Sequence, residues 1–283
     1  MKFYIVDCFA EQKYQGNQLA VFIPDRDLSR EEMQQIAQEI GFSETTFVLS
    51  DKQVNGGYDV RIFTPGVEVP FAGHPTLGTA HIIRNIIEDG AADKVLLNLA
   101  VGQIPVFAEG ETLIMSQNEP EFGEILGKEA VAAGVSIQPE DIRDDYPVQW
   151  VSTGLEAVIV PVKDVEVIKK SHVNHDKLDA FHKAHYKCNV LLFAEESDGL
   201  RVRVFMDDPG FLEDPATGSA NGDLAGYLLK HNFFGRHNIA YTVSQGREMG
   251  RPSKLHIQAD CTDGKYTILV GGQAYVVAEG DWK

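Results

Sequence analysis

The chain has 283 residues, of which 43% are hydrophobic and 24% charged, enough to bury a core in each of two domains. A formal net charge of −17 argues against nucleic-acid partners, which need a basic face to release counterions. Cys8, Cys188 and Cys261 are odd in number, far apart and without metal-ligand spacing, which argues against a disulfide framework or zinc site and suits a reducing cytoplasm.

The first residues meet Asp7 too early for a secretory leader, and no apolar run approaches the roughly 20 residues that span a bilayer. A cytoplasmic protein with no membrane partner is expected. Apolar or alternating runs predict strands at 3–6, 20–23, 46–49, 58–63 and 95–99. Between them, a helix is predicted from Ser29 to Ile40, with Ser29 and Glu32 as a capping box and Gly41 as its stop. A second helix is predicted from His74-Pro75 to about residue 89, with Pro75 in the first turn. Leu77, Ala80, Ile82, Ile83, Ile86 and Ile87 spread round its circumference, so it is expected to be buried inside a curved sheet.

The second half repeats the plan. Strands are predicted at 148–152, 157–162, 190–194 and 200–205, then a helix from Ser219, then strands at 239–243, 254–258, 266–270 and 273–277. The acidic stretch 119–146, with Gly and Pro and few strand features, is the expected crossing between lobes.

Arg61-Ile62-Phe63 and Pro65-Gly66 match Arg203-Val204-Phe205 and Pro209-Gly210. Glu68-Val69-Pro70-Phe71-Ala72-Gly73-His74 and Glu213-Asp214-Pro215-Ala216-Thr217-Gly218-Ser219 share Glu-x-Pro-x-x-Gly at an offset of 145. Each copy follows a strand and opens a buried helix, so a duplicated domain is expected. Two equivalent helix N-termini would then face a cleft between lobes and suit a substrate carboxylate, with Gly73 and Gly218 allowing close approach. The acidic surface makes such local attraction necessary.

The chain resembles the PhzF family of phenazine biosynthesis. The resemblance rests on Asp7-Cys8-Phe9, Gly16-Asn17-Gln18, Ser43-Glu44-Thr45-Thr46-Phe47, Arg61 to Pro65, Pro70 to Ala80, Glu213 to Gly222, Gln245 to Ser253 and Gly271-Gly272. It implies an α+β, duplicated two-lobe fold like diaminopimelate epimerase, each lobe a curved, mostly antiparallel sheet around a central helix. The lobes would be residues 1–118, joined by a C-terminal strand at about 268–283, and residues 119–267. It also implies a homodimer that uses no cofactor and acts on a small-molecule substrate bearing a carboxylate. Two residues depart from the family pattern: Gln18, where proline is common, and Cys8, where valine is usual.

Racemases on this fold resemble one another in placing a cysteine at each helix start. Here those places hold Gly73-His74 and Gly218-Ser219, which disfavours two-thiol inversion. By resemblance Glu44 carries the proton, and a desolvated carboxylate suits a group that takes and returns one. The implied reaction is the double-bond shift of a dihydro-hydroxyanthranilate. His74 is expected to hold or relay a proton, Asp214 to orient it or bind a substrate amine, and Ser43 to steady Glu44. Ser219, with Gly73 and Gly218 at the two helix starts, is expected to hold the carboxylate. Taken alone, Glu44 also fits a solvated corner, His74 and Ser219 helix caps, and Asp214 a turn. Glu68 and Glu213, present in both copies, are expected to be structural. His172, His175, His182 and His185 are read as a solvated face with no metal site. An epimerase or dehydratase, or a non-catalytic binding member, remain the alternatives on this scaffold.

Overall fold

The computed structural model describes residues 1–185, 187–208 and 210–283, so Pro209 of the second repeat copy lies outside the described residues. The chain divides into two compact units, residues 1–116 with 271–283, and residues 117–270.

The first stretch contains β1 (Lys2–Cys8), β2 (Asn17–Ile23), α1 (Arg30–Ile40), β3 (Glu44–Val48), β4 (Tyr58–Phe63), β5 (Glu68–Val69), α2 (Gly73–Ile82), β6 (Lys94–Leu99), β7 (Gly102–Glu109) and β8 (Thr112–Ser116). The second contains β9 (Glu121–Leu126), α3 (Lys128–Gly134), β10 (Val148–Ser152), β11 (Glu156–Pro161), α4 (Val165–Lys170), α5 (His175–Ala184), β12 (Asn189–Glu196), β13 (Gly199–Asp208), β14 (Phe211–Asp214), α6 (Gly218–Lys230), β15 (Asn238–Gln245) and β16 (Ser253–Thr262). Two strands follow, β17 (Lys265–Gly272) and β18 (Ala274–Asp281).

Sheet pairing repeats between the units. In the first, β18, β1, β2, β3, β4, β6, β7 and β8 lie side by side, antiparallel except at β2/β3 and β4/β6. In the second, β9, β10, β11, β12, β13, β15 and β16 follow one another, antiparallel except at β11/β12 and β13/β15. The short strands β5 and β14 pair with β4 and β13 at equivalent places. This is the duplicated α+β architecture expected from the repeat.

Each unit holds one central buried helix. Every residue of α2 except His81 is buried, as is every residue of α6 except Lys230. Burying Leu77 and Ile82 of α2 in full is worth roughly 1.5–3 kcal/mol each. Gly78 lets the helix approach β1 and β2, because a Cβ there would lie 2.5 Å from Cys8 Sγ and 2.7 Å from Leu19 Cδ2. The predicted extent of this helix to residue 89 needs one correction. The α-helix ends at Ile82 and continues as a π turn, Ile83–Ile87, with Glu88 N–H bonded to Ile83 O at 2.9 Å. The wider turn lets Glu88 accept from Tyr58 Oη and from Gln53 Nε2.

The twin glutamates of the repeat staple the β4–β5 and β13–β14 hairpins. Arg61 Nε and Nη2 reach Glu68 at 2.7 and 2.7 Å, and Arg203 Nε and Nη2 reach Glu213 at 2.8 and 2.6 Å. Such bidentate forks add geometric specificity as well as energy. Each arginine also lies over its own phenylalanine, Phe63 at 5.2 Å and Phe205 at 4.7 Å.

The stretch 119–146 is not a bare crossing. It supplies β9 and α3, and Leu126, Val131, Ala132, Val135, Ile137 and Ile142 enter a core cluster of the second unit.

Candidate active site

Glu44 opens β3, where its parallel partner in β2 is Leu19. Thr46, two residues on, bonds to Thr79 of α2 at 2.8 Å between hydroxyls, fastening the strand that carries Glu44 to the helix that carries His74. His74 is 5% exposed, and its Nε2 lies 3.4 Å from Glu44 Oε2. On the other side of the ring, Asn17 Nδ2 lies 3.1 Å from Nδ1. Nδ1 is thus engaged by the Asn17 amide, and Nε2 is the ring nitrogen that faces the carboxylate. Burial lowers the His74 pKa to about 3, against a small rise from a backbone bond with Gln18. The imidazole is therefore neutral at neutral pH, and the contact with Glu44 is not an ion pair. Ser43 is partly exposed beside Glu44, and Gly73 is buried at the first position of α2.

In the second unit Asp214 ends β14, 8% exposed. Its Oδ2 accepts from Thr217 Oγ1 at 2.6 Å. Gly218 and Ser219 follow as the first two residues of α6, both buried. Gln245, at the end of β15, lies under this turn and is fully buried.

The two central helices begin differently from the polar ones. α1, α4 and α5 are capped by the side chains of Ser29, Asp164 and Asn174, and Ser29 with Glu32 forms the predicted capping box. α2 starts after Ala72, which has no side chain to offer, and α6 starts after Thr217, whose hydroxyl turns to Asp214 instead. α3, after Gly127, is also uncapped.

The sequence-predicted residues thus fall into two groups: Ser43, Glu44, Gly73 and His74 in the first unit, and Asp214, Gly218 and Ser219 in the second. Asn17, Thr217 and Gln245 were not singled out as site residues, although each lies in a motif quoted for the family resemblance. Each is a buried polar residue, Asn17 and Gln245 at strand ends and Thr217 at the start of α6. Cys8 and Cys188 are buried, burial pushes the Cys188 thiol up to about 12, and Cys261 is partly exposed in β16. None of the three stands at the start of α2 or α6. Among the described residues no three His, Cys, Asp or Glu side chains cluster to hold a metal ion. Of the polar-stretch histidines, His175 and His182 lie on α5, His182 Nε2 lies 3.0 Å from Cys188 O, and His185 lies 3.6 Å from Glu124. No helix is long and apolar enough to cross a membrane among the described residues.

Residues 6–280 match the PhzC-PhzF family, described as phenazine biosynthesis-like protein. The chain is 32% identical over 285 residues to the trans-2,3-dihydro-3-hydroxyanthranilate isomerase of Pseudomonas aeruginosa, covering 99% of this chain and 98% of that protein. Its fold matches a PhzF-family phenazine biosynthesis protein from Bacillus anthracis with a TM-score of 0.89 at 27% identity, covering 99% of this chain and 98% of that one. A probable proline racemase from Agrobacterium radiobacter shares the fold alone, with a TM-score of 0.66 at 12% identity over 100% of this chain and 92% of that one. With the duplicated sheets, the two buried helices and the motifs at their starts, these matches make the chain a member of the PhzF family of phenazine biosynthesis-like proteins, and an isomerase.

Proposed function

We propose that the chain catalyses a cofactor-free proton transfer that shifts a double bond in a small carboxylate-bearing substrate of the dihydro-hydroxyanthranilate class. The observation that carries this reading is the placement of Glu44 Oε2 at 3.4 Å from Nε2 of a buried, neutral imidazole. In this mechanism the Glu44 carboxylate takes a proton from one carbon, the electron pair moves along the ring, and the same carboxyl returns the proton to a second carbon on the same face. Nothing is gained or lost overall, so no redox partner is needed. One carboxylate acting on one face gives isomerisation rather than inversion.

His74 is assigned an orienting role, not proton storage. A ring with pKa near 3 stays neutral in neutral solution, and its Nε2 lies 3.4 Å from the Glu44 carboxyl group. Asp214 is proposed to bind the substrate amine, and Ser219, with Gly73 and Gly218, to hold the carboxylate, aided by helix starts that no side chain caps. A homodimer in the cytoplasm, as the resemblance implies, completes the proposal.

The test is proton NMR in deuterated water with trans-2,3-dihydro-3-hydroxyanthranilate, comparing wild type with Glu44→Gln. The expected result is isomerisation with deuterium entering a ring carbon, lost in the variant while its folding is unchanged. Exchange that survives in Glu44→Gln sinks the assignment of the base. Equal ligand affinity in both forms, with turnover in neither, points instead to a binding protein.

A further inference from the structure

The motif that begins Gln245-Gly246 has no part in the proton transfer just described, yet its amide is the most heavily committed side chain in the second unit's site. Gln245 Nε2 donates to Asp214 O at 2.7 Å and to Thr217 Oγ1 at 3.0 Å. Its Oε1 accepts from Asn221 Nδ2 at 2.9 Å and from Thr217 N at 3.3 Å. Both N–H groups and both lone pairs are thereby used, and the side chain is 0% exposed, so the amide has one orientation. The consequence falls on Thr217. Its hydroxyl receives the Gln245 N–H, which leaves its single proton for Asp214 Oδ2 at 2.6 Å.

The turn that carries Gln245 is itself fixed. Gly246 has φ +73°, and a Cβ there would lie 2.6 Å from Pro215 O and against Arg251 O. Glu248, three residues on, accepts from the buried Arg201 of β13 at 2.6 Å.

The duplication supplies the control. Val69 pairs with Ile62 in the first unit where Asp214 pairs with Val204 in the second. Ala72 precedes α2 where Thr217 precedes α6, both in extended conformation. The first unit therefore builds the same strand, turn and helix start from Val69 and Ala72, neither of which has a polar side chain. The amide network is not needed for the turn. What it adds is the orientation of Asp214.

We infer that Gln245 is a positioning residue which, through the Thr217 hydroxyl, sets the Asp214 carboxylate for the substrate. This rests on the proton-transfer reading for its kinetic consequence but not for its geometry.

The test compares wild type, Gln245→Leu, Asp214→Ala and the double variant for conversion of trans-2,3-dihydro-3-hydroxyanthranilate. Gln245→Leu is expected to lower kcat/KM roughly 10- to 100-fold, the range for a hydrogen bond to a charged group, and to add nothing once Asp214 is alanine. Losses that multiply in the double variant would overturn the inference, since a general structural defect acts whether or not Asp214 is present. Thr217→Ser is expected to keep activity and Thr217→Val to match Gln245→Leu; equal losses in the two also overturn it. A crystal structure of Gln245→Leu needs no turnover. The Asp214 carboxylate is expected to leave the Thr217 hydroxyl while the start of α6 stays in place, and a carboxylate left where it was refutes the inference. A displaced carboxylate with an inactive wild type supports the positioning role and sinks only the substrate reading.

Discussion

Replacing His74 by Gln should flatten the acid limb of the first unit's stability. The ring is 5% exposed, and burial holds its pKa at about 3 against an unfolded value of 6.5. Between those limits the unfolded chain binds a proton that the folded chain refuses, so stability falls as pH drops from 6.5 toward 3. At 1.36 kcal/mol per pKa unit the whole displacement corresponds to roughly 4–5 kcal/mol, about half of which is already lost at pH 4.5. That is a large share of the ~5–15 kcal/mol by which a domain is stable. His81, lowered to about 4 by burial, acts in the same sense, and it stays in both proteins.

The chain offers its own reporter. It has two tryptophans: Trp282 packs edge-on against Phe3 and Phe22 in the first unit, at ring distances of 5.9 and 5.3 Å, and Trp150 lies in β10 of the second. With Trp150→Phe as the common background, urea unfolding followed by Trp282 emission reads the first unit. The free energy lost between pH 7 and pH 4.5 should be smaller by roughly 2–3 kcal/mol with His74→Gln than with His74. Parallel curves for the two proteins would refute the claim that His74 is buried and neutral.

Two further predictions concern the second unit. Gly246→Ala should cost more than the ~1–2 kcal/mol of a left-handed alanine, because its Cβ meets two carbonyl oxygens, whereas Gly250→Ala, with φ +71° and nothing near, should cost only that amount; thermal unfolding of the pair checks this, and equal losses would remove the close packing of Gly246 from the argument. Asp223 of α6 accepts from Thr153 N at 2.6 Å and Oγ1 at 2.8 Å, and burial raises its pKa well above the usual carboxylate range. The folded chain thus keeps a proton that the unfolded chain gives up, and stability is lost as pH rises toward the folded value. Asp223→Asn, which keeps the acceptor and cannot ionise, should gain stability over wild type increasingly as pH rises above the ordinary carboxylate range, measured by urea midpoints; a constant difference would count against a protonated Asp223.

What could be read from the sequence was mostly local. The Ser29–Glu32 box and Gly41 stop need only neighbouring residues, and both are present, with Gly41 left-handed at φ 68°. The all-round apolar pattern of α2 and the repeated Glu-x-Pro-x-x-Gly also carried through to buried helices and stapled hairpins. Strands whose identity comes from their partners were missed. β7 contains Pro105, which weakens a strand pattern, and is held by both β6 and β8. β9 is acidic with Ile125 65% exposed, yet it pairs with β10. The same distance problem hid the polar network. Asn17 meets His74 across 57 residues and Gln245 meets Thr217 across 28, separations at which residue type alone names no partner. The neutrality of His74 depends on desolvation, which no local pattern reports.

Duplication also sorts the roles of residues that composition leaves equal. The Arg61–Glu68 and Arg203–Glu213 forks survive in both copies with nearly the same geometry, as expected for parts that hold a hairpin together. The helix starts have diverged. One copy sets His74 against Glu44 and spends Asn17 on the far ring nitrogen; the other sets Ser219 after an Asp214 whose carboxylate is addressed by Thr217 and Gln245. If these polar groups served folding, both copies would need them, because both make the same turn into the same kind of buried helix. Each copy manages that turn without the other's polar set. Selection for a fold explains the forks, and selection for chemistry at two non-equivalent helix starts is the simpler account of the rest.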